Sequence, residues 1–230
     1  MMTLEEIGKK YSTDKMDHGF LPFYEKVLNP FRTNARRVLE IGIDKGCSLY
    51  MWAEYFPQAI IEGWDLKEFN PGTFGDGVAT FVVNQSNRDS MQSCLTNLGI
   101  SPGRGYDIII DDGSHRMWDQ QITLGFLWKV LNPGGIFIVE DLHTSLPHNP
   151  CEWAGGGCFN DFSNSTLEAL KRLRDSHCMY SQYMLGSEMS SIGMESASCE
   201  VIDVLGDGRH ITSVITKIDS RINIQSIASE

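Results

Sequence analysis

Five short apolar runs, separated by segments of helical period, constrain this chain more than any other feature. They are Arg37 to Ile41, Ala59 to Asp65, Ala79 to Val83, Tyr106 to Asp111 and Gly135 to Glu140, each rich in Val, Ile or Phe and each closing near a carboxylate, Gln or Gly. Strand-length runs with helical segments between them are the pattern of a parallel sheet covered on both faces. Ser48, Leu49, Trp52, Ala53 and Phe56 share one helical face, as do Ile122, Phe126, Leu127 and Val130 ahead of an Asn132-Pro133-Gly134-Gly135 stop. Farther on, Cys199 to Leu205 and Ile211 to Ile218 flank Gly206-Asp207-Gly208-Arg209-His210, a hairpin signal. The expectation is a doubly wound α/β domain of seven mostly parallel strands, closed by a C-terminal antiparallel hairpin. Residues 1–30 read as a helical segment interrupted at Ser12-Thr13-Asp14-Lys15, and 31–230 as the domain proper, without an internal repeat or a linker.

Charge narrows the partners. With 30 acidic and 19 basic residues the net charge is −11, a field that repels nucleic acid and anionic lipid. The densest basic group, Lys171, Arg172 and Arg174, interleaves with Leu167, Leu170 and Leu173 at helical spacing and reads as a solvated helix face. No apolar stretch has signal-peptide or membrane-span length, and the six cysteines never form C-x-x-C. A soluble cytoplasmic chain with free thiols is expected.

Chemistry is expected at the carboxyl edge of the sheet, where ligands of such folds bind. Glu40-Ile41-Gly42-Ile43-Asp44-Lys45-Gly46 sits where the first strand turns into the helix carrying Ser48, and glycines at 42 and 46 let backbone approach a ligand. Asp44 and Cys47 break the G-x-G-x-x-G pattern that suits a pyrophosphate. Asp65, 23 residues after Gly42, has the spacing of a ribose-binding carboxylate, and Glu40 suits an ammonium group. Gln85 and Ser86 could contact an adenine or ribose. S-adenosylmethionine, with an adenosine, an ammonium, a sulfonium and no phosphate, matches this set. Asp111-Asp112-Gly113-Ser114-His115 ends the fourth strand and Glu140-Asp141 the fifth; four converging carboxylates call for a hard divalent cation. His115 adds a group able to take a proton.

Four motifs carry a family resemblance: Y-S-T-D-K-x-x-H-x-F, V-L-E-I-G-I-D-K-G-C-S-L-x-M-W-A-E-Y-F-P, D-I-I-I-D-D-G-S-H and G-G-I-F-I-V-E-D-L-H-T-S. In this order, over residues 11–146, they resemble the macrocin and mycinamicin sugar O-methyltransferases. The resemblance implies a class I, Rossmann-like methyltransferase domain over 31–230, with residues 1–30 contributing to the active site, using S-adenosylmethionine and Mg²⁺ or Mn²⁺ on a sugar hydroxyl. It implies Asp112, Glu140 and Asp141 as metal ligands, His115 as general base and Asp14 as an auxiliary acid. Cofactor contacts would come from Glu40, Gly42, Gly46, Ser48, Asp65, Gln85, Ser86 and Asp111. The departures expected from the family pattern are Asp44-Lys45 and the absence of the additional N-terminal domain of some members, which leaves acceptor recognition and a homo-oligomeric assembly open.

The remaining signals are weaker. Residues 142–163 read as a lid-like loop with Trp153 as a platform for a sugar face or an anchor for the loop, and His143, His148, Cys151 and Cys158 fit no compact zinc spacing. His18 lines the cofactor pocket or sits on a helix surface. Met179, Met184, Met189 and Met194 read as core filling. Two other functions use the same sheet, an NAD-type oxidoreductase and a non-catalytic nucleotide-binding module.

Overall fold

The computed structural model describes residues 1–146 and 162–220. Helices α1 (Leu4–Tyr11), α2 (Asp14–Asp17) and α3 (Leu21–Leu28) precede β1 (Arg37–Ile41), α4 (Cys47–Tyr55), β2 (Ile60–Asp65) and β3 (Val78–Val82). Then come α5 (Arg88–Asn97), β4 (Tyr106–Asp111), α6 (Met117–Leu127), β5 (Leu131–Val139), α7 (Thr166–Ser176), α8 (Gly186–Glu195), β6 (Ser196–Asp203) and β7 (Ile211–Lys217). The seven strands form one sheet in the order β3-β2-β1-β4-β5-β7-β6. β1 to β5 pair in parallel, whereas β7 runs antiparallel to β5 and carries β6 on its outer edge. The expected hairpin is therefore present. No described helix is long and apolar enough to cross a membrane.

Strand parity divides the core into two halves. Val38, Ile61, Ile108, Ile110, Ile136 and Ile138 pack under α1, α3 and α4, while Leu39, Ile41, Ile109, Phe137, Val139 and Ile215 pack under α5 to α8. Both side-chain sets are buried, so the strands read as continuous apolar runs. Local chemistry sets the helix starts. Thr3 and Glu6 form a reciprocal capping box on α1, Asn87 accepts from the Asp89 and Ser90 amides on α5, and Ser165 accepts from Glu168 on α7.

β5 begins at Leu131, ahead of the expected Gly135, so the Asn-Pro-Gly-Gly stop lies inside the strand. The Asn132 amide bonds the Gly105 backbone N–H and carbonyl, at 3.0 and 3.2 Å, and supports the register shift opposite Tyr106 and Ile108. Of the polar interruption expected at residues 12–15, only Ser12 and Thr13 separate α1 from α2, with Ser12 in the left-handed region, while Asp14 and Lys15 open α2. Of the expected loop 142–163, residues Leu142–Ser145 and Phe162–Asn164 form short 3-10 turns. Trp153, His148, Cys151 and Cys158 lie outside the described residues.

Candidate active site

The strand order reverses direction between β1 and β4, which places a crevice at their carboxyl ends. A cavity of about 740 Å³ opens there, and a smaller one of about 210 Å³ continues from it past Gly42, Asp65 and Gly113, which line both. Among the described residues, five non-glycine residues have positive φ, and four of them, Ser12, Asp44, His115 and Asp141, line the larger cavity. Left-handed backbone costs such residues of order 1–3 kcal/mol each and persists where surrounding structure enforces it. Here the Thr144 hydroxyl, 2.8 Å from the His115 carbonyl and 2.9 Å from that of Asp141, ties the two turns together.

Parity also arranges the acids. Glu40 follows Val38, Asp112 follows Ile110 and Glu140 follows Ile138 at the two-residue period, so all three carboxylates leave the sheet on the face covered by α1, α3 and α4. There they meet Lys15, whose ammonium lies 2.5 Å from Asp112, 2.8 Å from Glu140 and 3.3 Å from Glu40. The lysine side chain is 1% exposed. Burial by itself favours its neutral form, but the charges of Asp112, Glu140 and Glu40 hold its pKa well above the ordinary value. Burial raises Glu40, Asp112 and Glu140, Lys15 offsets this only in part, and the charge of Asp112 raises Glu140 further. One lysine thus leaves the acidic group short of positive charge.

Asp112, His115 and Asp141 face the cavity with ligand atoms all within 4.8 Å of one another. His115 Nδ1 is 3.4 Å from Asp141 and 4.0 Å from Asp112, and His143 Nδ1 is 3.6 Å from Asp141. The two hard carboxylates, Asp112 and Asp141, backed by an under-neutralised acidic layer, fit a divalent cation of the Mg²⁺ or Mn²⁺ kind, with the His115 imidazole beside them as a separate, proton-accepting group. Gly42, Ser48 and Asp65 line the cavity, whose volume of about 740 Å³ admits a nucleoside cofactor, and the turn itself is closely packed. A Cβ at Gly42 would lie 2.1 Å from the Asp112 carbonyl oxygen, and Asp65 fixes the turn by accepting from the Ile43 and Lys67 amides at 2.8 and 2.9 Å.

Asp14, Gly42, Ser48, Asp65, Asp112, His115 and Asp141 line the larger cavity, while Gln85 and Ser86 join Gly42 and Asp65 in the smaller one. The other expected residues stand behind its walls. Glu40 accepts from Ser48 at 2.6 Å, Glu140 faces Lys15, and Asp111 accepts from the Gln85 side chain at 3.1 Å. Burial pushes Asp111 up to about 6. Gly46 answers to packing: a Cβ there would lie 2.0 Å from Phe74, and its φ is +79°. His18 lines the cavity, as do His143, Arg209 and His210, which sequence reasoning did not assign to the site. Lys15 was missed as an ion-pairing centre.

Gly42→Ala should lower stability by about 2 kcal/mol or more, because its φ of +89° and the Asp112 backbone both oppose a side chain. Urea unfolding measures it. A midpoint equal to wild type would mean that the turn relaxes freely.

No family model matches the chain. It is 33% identical over 176 residues to demethylmacrocin O-methyltransferase of Streptomyces fradiae, covering 73% of this chain and 42% of that protein. To the 8-demethyl-8-alpha-L-rhamnosyl tetracenomycin-C 2'-O-methyltransferase of Streptomyces olivaceus it is 33% identical over 181 residues, covering 75% and 45%. Mycinamicin VI 2''-O-methyltransferase of Micromonospora griseorubida is 29% identical over 184 residues, covering 75% and 43%. The chain spans less than half the length of these curated relatives. Among solved structures, the mycinamycin-pathway methyltransferase MycE in complex with Mg and SAH superposes with a TM-score of 0.75 at 24% identity, covering 95% of this chain and 55% of that one. That likeness establishes the fold.

Proposed function

The chain belongs to the family of macrocin- and mycinamicin-type sugar O-methyltransferases, and from that premise we propose that it transfers the methyl group of S-adenosylmethionine to a hydroxyl of a sugar or glycosylated small molecule, with Mg²⁺ or Mn²⁺. One observation carries this reading: the Gly42–Asp65 cradle and the Asp112–His115–Asp141 cluster share a single cavity. Adenosine would occupy the smaller cavity against Gln85 and Ser86, Asp65 would accept from the ribose hydroxyls, and the methionine end would reach Ser48. Glu40 and Asp111 would support the walls through Ser48 and Gln85, and Gly46 through the entry to α4.

Asp112 and Asp141 would hold the metal, which acts as a Lewis acid toward the acceptor hydroxyl when bound; Glu140, expected from the resemblance as a third ligand, is turned to Lys15 behind the wall and would act only through the charge of that layer. His115 would take the hydroxyl proton, and Asp14, on the cavity wall, would steady the acceptor. Residues 1–30 would contribute to the site through Asp14, His18 and Lys15. An NAD-type reading has no support among the relatives, and the Gly loop lacks the dinucleotide pattern.

Two measurements test the reading. Calorimetry should find S-adenosylhomocysteine binding, weakened by about 1–3 kcal/mol in Asp65→Ala through loss of charge-assisted hydrogen bonds; preferential NAD⁺ binding would sink the assignment. Methyl transfer from labelled cofactor to glycosides should disappear on chelation and return with Mg²⁺, whereas full turnover after exhaustive chelation would remove the metal.

A further inference from the structure

The larger cavity has a wall that neither the cofactor cradle nor the metal cluster uses. It is built from two segments distant in sequence, residues 12–20 and the turn between β6 and β7. Their packing is close: a Cβ at Gly19 would lie 2.8 Å from the Leu205 side chain. The hairpin turn is preformed, since the Asp203 carboxylate accepts from the Gly206 and Gly208 amides at 2.9 and 2.7 Å, and the Val204 amide donates to the His210 carbonyl at 3.0 Å.

On this wall the imidazoles of His18 and His210 stack, with centroids 5.1 Å apart and planes 27° from parallel. The fully buried Phe20 meets both rings edge-on, at 5.9 and 6.3 Å, and fixes the pair from behind. Neither ring has a hydrogen bond from its nitrogens to a described residue, so their polar capacity is available to a ligand. Beside them the Arg209 guanidinium is anchored by Asp207, with nitrogens 3.0 and 2.9 Å from one carboxylate oxygen. His18, Arg209 and His210 line only the larger cavity, away from the Gln85–Ser86 end.

We propose that this docked wall is the acceptor-recognition surface, on which the stacked His18–His210 pair and Arg209 seat the ring of a neutral, polyhydroxylated acceptor. The inference rests on the methyltransferase reading and adds to it where the acceptor binds. Its chemistry follows from the groups present. Two flat imidazoles offer ring faces, their nitrogens and the guanidinium offer hydrogen bonds to hydroxyls, and Asp14 on the same cavity supplies an acceptor. With Asp112 and Asp141 given to the metal, Asp14 and Asp44 outweigh Lys45 on the cavity and Arg209 is already paired with Asp207, a balance that opposes an anionic ligand. The wall therefore suits a neutral pyranoside better than a planar acid.

The test uses protein with isotope-labelled histidine, whose six imidazole signals are assigned by single substitutions. Saturated with S-adenosylhomocysteine and Mg²⁺, with binding established by calorimetry, it is titrated with methyl α-L-rhamnoside to about 50 mM, a range that captures millimolar affinity. The His18 and His210 signals should move together along one saturation curve while that of the exposed His177 stays fixed. In Arg209→Ala the sugar dissociation constant should rise about fivefold or more with the nucleoside affinity unchanged. Failure of the sugar to move His18 and His210, with nucleoside bound, overturns the acceptor wall and leaves the methyltransferase reading standing. Failure of the nucleoside to bind instead overturns that reading. His18→Gln and His210→Asn remove the stacked imidazoles themselves, and a sugar affinity unchanged in both also overturns the wall.

Discussion

Lys15→Met should destabilise the protein by about 3–5 kcal/mol, the cost of removing one partner from a buried ion-pair network. The lysine Nζ lies within 3.3 Å of carboxylates that leave β1, β4 and β5 on one face, and it neutralises groups that otherwise repel each other. Without it, burial would force protonation of Glu140 or Glu40, or admit water into the layer. Urea unfolding in metal-free buffer measures the loss. Lys15→Met/Glu140→Gln should recover part of it, because the second substitution removes one of the uncompensated charges, and the cycle should give a coupling energy of about 1 kcal/mol or more. A single-variant loss below about 1 kcal/mol would mean that the acids hold their places without the lysine.

The fold was legible because strands buried on both faces need apolar residues at every position. β1 and β4 have the expected ends, Arg37–Ile41 and Tyr106–Asp111. Boundaries failed where side chains substitute for backbone pairing: Asn132 holds Gly105 and lets β5 start at Leu131, within a sequence that reads as a turn. β6 likewise starts at Ser196, because α8 passes into it without a turn residue. The methionines at five-residue spacing span a connection and a helix, and Met179 and Met184 are core residues while Met194 is 72% exposed.

The site was legible in its location and less so in the division of labour among its acids. A carboxylate at a strand end marks the binding edge, but its parity decides which way it faces. Glu40 shares a face with Val38, and Glu140 with Ile138, so both go to Lys15; Asp111 shares a face with Ile109 and goes to Gln85. Counting residues in twos from the core positions was a signal available in the sequence. Lys15 itself had none, since its partners lie 97 and 125 residues away. Arg209 and His210 sit in a turn whose polar composition explains itself, and only the docking of residues 12–20 against the hairpin brings them to the cavity.

Replacing His115 should lower the rate of methyl transfer by at least about a hundredfold, within the span of about 10²–10⁴ that a positioned general base contributes. Transfer breaks the sulfonium S–CH₃ bond, forms the O–CH₃ bond and releases S-adenosylhomocysteine; the hydroxyl proton must go to a base. The His115 imidazole lies beside Asp112 and Asp141 on the shared cavity, and its turn is held in the left-handed region at φ +56°. Asn tolerates that conformation better than Ala, so His115→Asn removes the base while sparing the backbone. Because the proposed reading puts His115 on the acceptor proton and the nucleoside on the Gly42–Asp65 turn, S-adenosylhomocysteine affinity should change less than about twofold. Single-turnover methylation at saturating cofactor and Mg²⁺, followed across pH, separates the two effects. A slow variant that has lost the wild-type dependence on pH identifies His115 as the proton acceptor. A variant with the wild-type rate and profile assigns the proton to another group, and equal losses in rate and nucleoside affinity would place His115 in the cofactor site instead.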